Sequence, residues 1–490
     1  MGKRSSPKKI QNKKGSCTRS MKGKGECQHF KVYADSKPPC RTPNVVFKSK
    51  LTPTTNNETL INLISSNLVQ EVNLKYLVRA NLKMQQQIGN RYTHEVDIGT
   101  LGNQHHSGRC WIFAGLAILS QLIPAKITYR RFSPNFIYYY DQLEKCDKFI
   151  AEILNACQED FDGKKRTVEE SIRLNEVINT PIYDGGNWAV LMSLITKYGL
   201  VPMHNFPDTE SSNKTAEMRN VLRDLLLRAF QALKKAHSAE ELSSIKDDTM
   251  HRVKSILNLF LNSPANTLIL KDTQLKKVKD PLSYARTCFQ TDNLCMLKEK
   301  YITLCCYKCV QPDVIVYTRT LTHPNEPTQE ELNVSIETLK QAIMSSLATG
   351  VPVFAAVNIS NRVDSESGFA NMDLPTPMEI VSELTMPIGS EVDRALSEMA
   401  GHNLPNHAVA ITGVEVNSGG KPLKWRLHNS YGNSFGSKGV LHVADSWFNQ
   451  YVFSATLRRD YINEKEKYTH KSASTPKVDL ALVRPFDYRD

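Results

Sequence analysis

Apolar and polar residues follow one another along the chain in patterns that predict a helical first half. A continuous apolar run at residues 112–119 predicts a buried helix. Residues 214–262 carry apolar side chains at helical spacing, and Ser238 before Ala239 predicts the cap of one helix there. The apolar positions of this stretch are Met218, Val221, Leu222, Leu225, Leu226, Phe230, Leu233, Val253, Ile256, Leu257 and Phe260.

The second half of the chain combines one helical pattern with several strand patterns. A helix is predicted to follow residues 328–331, with Leu339, Ala342, Ile343 and Leu347 on its apolar face. Buried strands are predicted at residues 350–357, around His407 and at residues 439–443. Helices that precede a strand-rich region indicate an α+β fold, and 490 residues are enough for two or three domains.

Four polar side chains add candidate chemistry to these elements. Cys110 and Trp111 directly precede the apolar run, so the first turn of a predicted helix holds a thiol where the helix dipole favours a thiolate. His407 and Asn429 follow far downstream, and Gln104 lies six residues before Cys110. A cysteine, then a histidine, then an asparagine, preceded by a glutamine, is typical of cysteine peptidases.

Each of these residues fits a separate chemical need. Cys110 is the predicted nucleophile, His407 its proton acceptor, and Asn429 the side chain that orients the imidazole. Gln104 is predicted to donate to the oxyanion, together with the Cys110 backbone N–H. Taken singly, each residue has a plainer structural interpretation as a core thiol, a hydrogen-bonded core histidine or a turn asparagine. Their joint occurrence in this order favours catalysis.

The segments around these residues resemble the bleomycin hydrolase family of the papain superfamily, from about residue 56 to residue 490. The resemblance implies a papain-like two-lobed fold, cytosolic cysteine aminopeptidase activity on peptides, and a homohexamer whose active sites face an internal channel. It rests on Asn103-Gln104, Ser107-Gly108-Arg109-Cys110-Trp111, Asp184-Gly185-Gly186-Asn187-Trp188, Lys197-Tyr198-Gly199, Lys424-Trp425-Arg426, Asn429-Ser430 and His442-Val443-Ala444-Asp445-Ser446-Trp447-Phe448.

The resemblance also implies substrate-binding residues. Gly185 and Gly186 are expected to let an extended substrate backbone approach. The C-terminal arm, which ends in Asp490, is expected to reach the cleft, where its carboxylates bind the substrate's amino group. The family tends toward small apolar residues at this end, and the bulk of Tyr488 and Arg489 leaves an open, endopeptidase-like cleft as the alternative. Tyr431 stands where the family has a tryptophan that shields the Asn–His hydrogen bond from water.

The spacing of the candidate residues predicts an inserted domain. His407 follows Cys110 by 297 residues, whereas papain-like chains separate these residues by about 130–150. The predicted regions are a basic tail at 1–55, a helical lobe with the nucleophile at 56–205, a helical insertion at 206–325, a β-rich lobe with His407 and Asn429 at 326–470, and the arm at 471–490.

Charge is concentrated at the N-terminus. The chain carries a formal net charge of +12, and its first 50 residues hold 14 Lys and Arg against Glu26 and Asp35. Because this segment is also poor in apolar residues, we expect it to be disordered. Its basic groups fit three roles, namely nuclear import, weak nucleic-acid or acidic-membrane contact, or a solubilising extension without a partner.

Cysteine usage and hydropathy indicate the compartment. No apolar signal segment or membrane span is found, and Ser107 stands where secreted papain relatives carry a disulfide cysteine. The eleven cysteines are an odd number, which predicts reduced thiols and a cytoplasmic location, with the nucleus left open by the tail. Cys295, Cys305, Cys306 and Cys309 raise a zinc alternative, but without a second well-spaced pair they are interpreted as ordinary thiols, so no metal or cofactor is expected.

Two other functional classes share these features. An acyl transferase uses the same thioester and oxyanion site, and differs only in the amine that accepts the acyl group. A catalytically weak relative that binds nucleic acid is favoured by the basic tail and by Tyr431. The four candidate catalytic positions favour the peptidase over this second class.

Overall fold

A computed structural model describes the folded part of the chain that contains Cys110, His407 and Asn429. The described residues are 91–99, 101–127, 131–265, 267–268, 270, 275, 278–318, 329–374, 392–480 and 483. The predicted basic tail at 1–55 and the last seven residues, including Asp490, lie outside them.

One mixed, mostly antiparallel sheet dominates the second half of the chain. Its strands are β1 His94–Glu95, β2 Tyr301–Cys305, β3 Ile315–Thr318, β4 Gln329–Asn333, β5 Val353–Val357, β6 Val363–Asp364, β7 Phe369–Ala370, β8 His407–Val416, β9 Pro422–His428, β10 Val440–Ala444, β11 Val452–Arg458 and β12 Lys477–Asp479. They follow the order β12-β3-β4-β2-β11-β5-β8-β9-β10-β7-β6, and the short β1 is an additional antiparallel partner of β8.

Helices make up most of the first half and cover parts of the sheet. They are α1 Cys110–Ser120, α2 Pro134–Phe161, α3 Val168–Asn179, α4 Trp188–Tyr198, α5 Glu210–Asn213, α6 Ala216–Leu233, α7 Ala239–Leu261, α8 Pro281–Phe289, α9 Leu294–Glu299, α10 Ile336–Ala348, α11 Arg394–Met399, α12 Asp445–Tyr451 and α13 Glu464–Lys471. Side-chain caps start many of them, as when Ser238 accepts a hydrogen bond from the Glu241 N–H at the start of α7.

The predicted α+β, papain-like fold is confirmed by this arrangement and by the comparisons reported below. The apolar run after Cys110 forms α1, and the apolar stretch at 214–262 forms α6 and α7. Residues 329–333 differ from the expected helix start, because they pair with β2 and β3 as a strand. The helix begins only at Ile336, where Ser335 supplies the cap.

The segment predicted as an insertion, 206–325, contains both helices and strands. Helices α6 and α7 pack against α2 on the helical side. Beyond α9, however, β2 and β3 belong to the same sheet as β8. Strands β2 and β3 are therefore part of the β-rich layer, in which cross-strand hydrogen bonds satisfy their backbone groups.

The ends of two neighbouring interior strands bring distant residues together. His407 is the first residue of β8, and Asn429 directly follows the last residue of β9. These neighbouring strands are antiparallel, with Ala410 opposite His428, so the start of one meets the end of the other. Helix α1 packs against β8, which brings Cys110 to the same place.

Within the described residues, no helix combines the length and the apolar character that a membrane crossing needs.

Candidate active site

Cys110 lies at the buried N-terminal end of α1, with 9 % of its surface exposed. Burial raises the pKa of its thiol to about 11, and the charge of Asp184 adds to the rise. Backbone N–H groups of Ala408, Trp111 and Cys110 itself act in the opposite direction, because they stabilise a thiolate. These amide donors are directed at the sulfur, where they favour negative charge.

His407 and Asn429 form a buried hydrogen-bonded pair. The His407 Nε2 lies 2.7 Å from Asn429 Oδ1, and the Ser430 backbone N–H donates to the same oxygen at 2.7 Å. Because a backbone N–H can only donate, this atom is the amide oxygen, and His407 must carry its proton on Nε2. Burial lowers the pKa of His407 to about 4, and with the proton on Nε2 the Nδ1 atom carries the lone pair that can accept a proton.

Tyr431 covers the imidazole of His407. The two ring centroids are 4.6 Å apart with a 29° angle between the planes, and the Tyr431 hydroxyl lies 3.3 Å from Nδ1. Phe435 packs edge-on against Tyr431 at 5.1 Å. A tyrosine at this position therefore shields the histidine, as the family's tryptophan was expected to do, and also presents a hydroxyl to it.

Gln104 connects the nucleophile loop with the segment after β9. Its backbone N–H donates to the Ser430 carbonyl at 2.7 Å, and its Oε1 accepts from the Ser430 hydroxyl at 2.5 Å. The Nε2 group donates to the Ser107 carbonyl. An amide NH₂ has two donors, so one N–H of Gln104 remains for a ligand in the cleft.

Asp184 joins the nucleophile loop to the Asp-Gly-Gly segment. Its carboxylate accepts from the Gly108 backbone N–H at 3.0 Å, and its carbonyl accepts from Trp111 Nε1 at 2.9 Å. The same carboxylate also binds Tyr138, Thr215 and Arg219. These contacts hold Gly108 and Trp111, the residues on either side of Arg109 and Cys110. Asp184 thus positions the nucleophile, a role that its motif did not indicate.

Lys145 binds the backbone of the Asp-Gly-Gly segment. Its ammonium group donates to the carbonyls of Tyr183 at 2.8 Å and Gly185 at 2.7 Å, and pairs with Asp141 at 2.6 Å. Burial lowers its pKa, although Asp141 counteracts this. Sequence reasoning missed Lys145, because a lysine inside an amphipathic helix ordinarily faces solvent.

The two glycines of the segment differ in what surrounds them. A Cβ atom at Gly186 would lie 2.5 Å from Trp111 Cε2, far inside normal contact distance. A Cβ atom at Gly185 would meet only the Tyr183 ring, at an ordinary 3.5 Å. Gly186 is thus required by the packing of the residue next to the nucleophile, whereas Gly185 is not.

These groups line one cleft of about 550 Å³. Gln104, Cys110, Gly185, Gly186 and His407 all lie on its wall. Among the described lining residues, Glu331 of β4 carries the one acidic side chain, and its position had no motif to reveal it. The rest of the lining is mainly apolar or hydroxyl-bearing, and includes Tyr307, Phe354, Ala356, Ser454 and Thr456. The structure thus brings together every predicted site residue except Asp490, which lies outside the described residues.

The cysteines considered for zinc lie in separate environments. Cys305 donates to Asn333 Oδ1 at 3.5 Å, and Cys306 to the Val452 carbonyl at 3.3 Å. Burial raises the pKa of both thiols. In the described ranges, no cluster of three or more His, Cys, Asp or Glu residues is arranged to hold a metal ion.

Comparison with known sequences identifies relatives along most of the chain. The model of the peptidase C1-like family matches residues 47–481. Aminopeptidase C of Listeria monocytogenes is 25% identical over 386 residues, covering 76% of this chain and 83% of that protein. Human bleomycin hydrolase is 25% identical over 387 residues, covering 74% and 81%. Aminopeptidase C of Lactobacillus helveticus is 24% identical over 456 residues, covering 87% and 93%.

A solved structure has the same fold. PepW from Lactobacillus rhamnosis superposes with a TM-score of 0.70 at 22% sequence identity, and the match covers 88% of this chain and 98% of that one. The similarity therefore extends over the helical and the β-rich layers alike.

Proposed function

The chain belongs to the peptidase C1-like family, and from this premise we propose that it is a cysteine aminopeptidase whose nucleophile is Cys110. One observation carries the proposal. His407, whose Nε2 proton is held by Asn429, lines the same cleft as the thiol at the start of α1. An Nδ1 lone pair in the cleft that holds the thiol is what proton abstraction from a nucleophile requires.

Activation transfers the thiol proton to the histidine. The Cys110 S–H bond breaks and its proton moves to His407 Nδ1, which yields a thiolate and an imidazolium. The amide N–H groups of Cys110, Trp111 and Ala408 stabilise the thiolate, and the Asn429 oxygen stabilises the imidazolium through Nε2–H. Burial disfavours both charges, and the amide N–H groups and the Asn429 oxygen offset this cost.

Acylation and hydrolysis then follow with balanced proton transfers. The thiolate attacks the scissile carbonyl, and the resulting oxyanion accepts from the Cys110 backbone N–H and the remaining N–H of Gln104. The C–N bond breaks as Nδ1–H protonates the leaving amine, which leaves a thioester. Water, deprotonated by His407, attacks the thioester, and the carboxylic acid leaves as the thiol is restored.

Restriction to the amino end of a peptide requires a group that binds the substrate's ammonium and closes the cleft beyond it. The C-terminal arm, with the Asp490 side chain and the terminal carboxylate, supplies two negative charges for this purpose. Relatives that bear the name aminopeptidase C support this choice over an open, endopeptidase-like cleft.

The reach of the arm is compatible with this role. Val483, the last described residue, packs against an apolar cluster that includes Tyr307, and Tyr307 lines the cleft beside Glu331. Strand β4, which carries Glu331, is four strand positions away from β8, a distance of about 19 Å across the sheet. The seven residues after Val483 span about 23 Å when extended.

Finer features rest on the resemblance and on the charge pattern. We propose a helical lobe at 56–205 and a β-rich lobe at 326–470 that also includes the strands at 301–305 and 315–318. The insertion is then the helical part of 206–325, and the arm comprises residues 471–490. Homohexamer formation and a cytoplasmic location are proposed from the bleomycin hydrolase family. The basic tail at 1–55 is proposed to add weak nucleic-acid binding or nuclear entry.

Paired substrates test the function directly. An aminoacyl fluorogenic amide with a free amino group and its N-acetylated twin are compared, using wild type, Cys110→Ala and a variant that lacks Tyr488 to Asp490. We expect wild type to cleave only the free amine, Cys110→Ala to cleave neither, and the truncated variant to cleave both.

The alternatives give different outcomes. Equal cleavage of both substrates by wild type would identify an endopeptidase-like cleft. Product that carries an added amine acceptor in place of water would identify a transferase. Absence of any Cys110-dependent turnover would refute the enzymatic proposal.

A further inference from the structure

A chain of polar contacts holds the loop that carries Gln104. Ser107 makes two of these contacts, since its hydroxyl donates to the Gln104 carbonyl at 2.5 Å and its own carbonyl accepts from Gln104 Nε2. Arg109 Nε donates to the Ser107 hydroxyl at 3.0 Å. Because a guanidinium can only donate, the single hydroxyl hydrogen of Ser107 remains available for Gln104. The placement of the Gln104 amide therefore depends on Arg109 through Ser107.

Arg109 is fully buried, and groups outside the loop determine its position. One terminal nitrogen of the guanidinium donates to Asp208 Oδ1 at 2.6 Å, and the other donates to Asn213 Oδ1 at 3.3 Å. The guanidinium carbon lies 5.3 Å from the ring centre of Phe113 and 5.6 Å from that of Tyr138. A buried cation is costly without a partner of opposite charge, and Asp208 supplies that charge.

Asp208 is fixed in turn by the helices around it. It lies two residues before α5, in the first part of the predicted insertion, and Thr209 caps that helix. The Thr209 hydroxyl donates to the Phe260 carbonyl at 2.9 Å, next to the last residue of α7. Asn135 of α2 donates to the Pro207 carbonyl at 2.9 Å. The carboxylate that pairs with Arg109 is thus attached to α2 and α7.

We propose that Asp208 is a positioning residue, which acts through Arg109 and Ser107 to hold Gln104 where its remaining N–H meets the oxyanion. The proposal rests on the proposed function, because it takes Gln104 as an oxyanion donor. Asp208 is not among the described residues that line the cleft, so it influences the substrate only through these contacts. The start of the helical insertion thereby becomes part of the frame of the active site.

Loss of the Asp208 charge weakens the first contact of the chain. In Asp208→Asn the guanidinium stays buried without its counter-charge, and its shift would also move the Ser107 hydroxyl. A misplacement of about 1 Å lowers a catalysed rate by about 100-fold. We therefore expect kcat on the free-amino substrate to fall by about 10- to 100-fold. KM should change little, because the oxyanion contact forms in the transition state.

A double-mutant cycle tests whether the effect passes through Gln104. The value of kcat is measured for wild type, Asp208→Asn, Gln104→Ala and the double variant. If Asp208 acts by holding Gln104, Asp208→Asn changes kcat by no more than about twofold once Gln104 is alanine. An equal loss in both backgrounds would overturn the inference, as would a rise in KM with unchanged kcat.

Alkylation of Cys110 separates the oxyanion donor from the thiol. Iodoacetamide reacts by displacement of iodide and forms no oxyanion, so we expect Asp208→Asn to be alkylated at the wild-type rate, measured by mass spectrometry of the Cys110 peptide. A rate that falls together with kcat would mean that Asp208 acts on the thiol, and would overturn the inference. Ser107→Ala removes the hydroxyl link alone, and it provides the same test if Asp208→Asn does not fold.

Asp445→Asn is the matched control. Asp445 pairs with Lys340 at 2.7 Å in a similarly buried ion pair, and neither residue is among the described residues that line the cleft. Thermal unfolding confirms that each variant is folded, and we expect the control to keep the wild-type kcat. An equal loss of kcat in the control would overturn the inference, as would wild-type kcat in both Asp208→Asn and Ser107→Ala. Absence of Cys110-dependent turnover in wild type would instead refute the proposed function itself.

Discussion

Alanine at position 186 would place a methyl group against the indole ring of Trp111. The added Cβ would lie 2.5 to 2.8 Å from three ring atoms, whereas carbon atoms in contact are normally about 3.5–4.0 Å apart. The ring would therefore have to move by about 1 Å. It is 1% exposed and bonded through Nε1 to the Asp184 carbonyl, so no open space is available to it.

The cost follows from the two contacts that must change. Overpacking a buried site costs about 1–3 kcal/mol, and loss of one hydrogen bond adds about 1 kcal/mol. We expect Gly186→Ala to lower the free energy of unfolding by about 2–4 kcal/mol. Trp111 directly follows Cys110, so the thiol moves with it, and a displacement of about 1 Å lowers kcat/KM by about 100-fold.

Gly185→Ala is the matched control. Its Cβ would meet the Tyr183 ring at 3.5 Å, an ordinary contact, so we expect the unfolding free energy to stay within about 0.5 kcal/mol of wild type. Urea denaturation of both variants measures the difference, and hydrolysis of the free-amino substrate measures the change in kcat/KM. Equal stability of the two variants would refute the packing argument and leave substrate approach as the reason for both glycines.

Three further predictions concern the oxyanion donor, the support of the glycine segment and the response to acid. Gln104→Ala should lower kcat by about 10²–10³ with little change in KM, measured on the free-amino substrate; a change confined to KM would contradict the oxyanion role. Lys145→Met should cost about 3 kcal/mol or more in urea denaturation, because Asp141 stays buried without its cation, and wild-type stability would refute this. Burial lowers the pKa of His407 and His428 to about 4, against about 6.5 in the unfolded chain. Below pH 6.5 the unfolded chain therefore takes up protons that the folded protein does not, and the free energy of unfolding falls as the pH drops toward 4. His428→Gln should weaken the fall of the urea midpoint over this range, and an unchanged pH dependence would contradict this reasoning.

The sequence by itself determined the fold class and the parts of the site. Local patterns carry much of this information, since the period and the length of an apolar stretch and the residues at its ends favour a helix or a strand. Cys110 at the start of α1 and His407 at the start of β8 follow from such patterns. The strand at residues 329–333 was not predicted, because its Gln-Glu-Glu start is typical of a helix N-terminus. In the folded protein β2 and β3 form hydrogen bonds with this segment on both sides, and this pairing makes it a strand.

Only the tertiary structure decided how these parts act on one another. The tautomer of His407 depends on a Ser430 N–H from another segment, and the need for glycine at 186 depends on an indole 75 residues away. Lys145 is a buried support because the carbonyls of 183 and 185 come within reach of its ammonium group. Distances between residues far apart in the chain are set by packing and register, and neither is written in any local stretch of sequence.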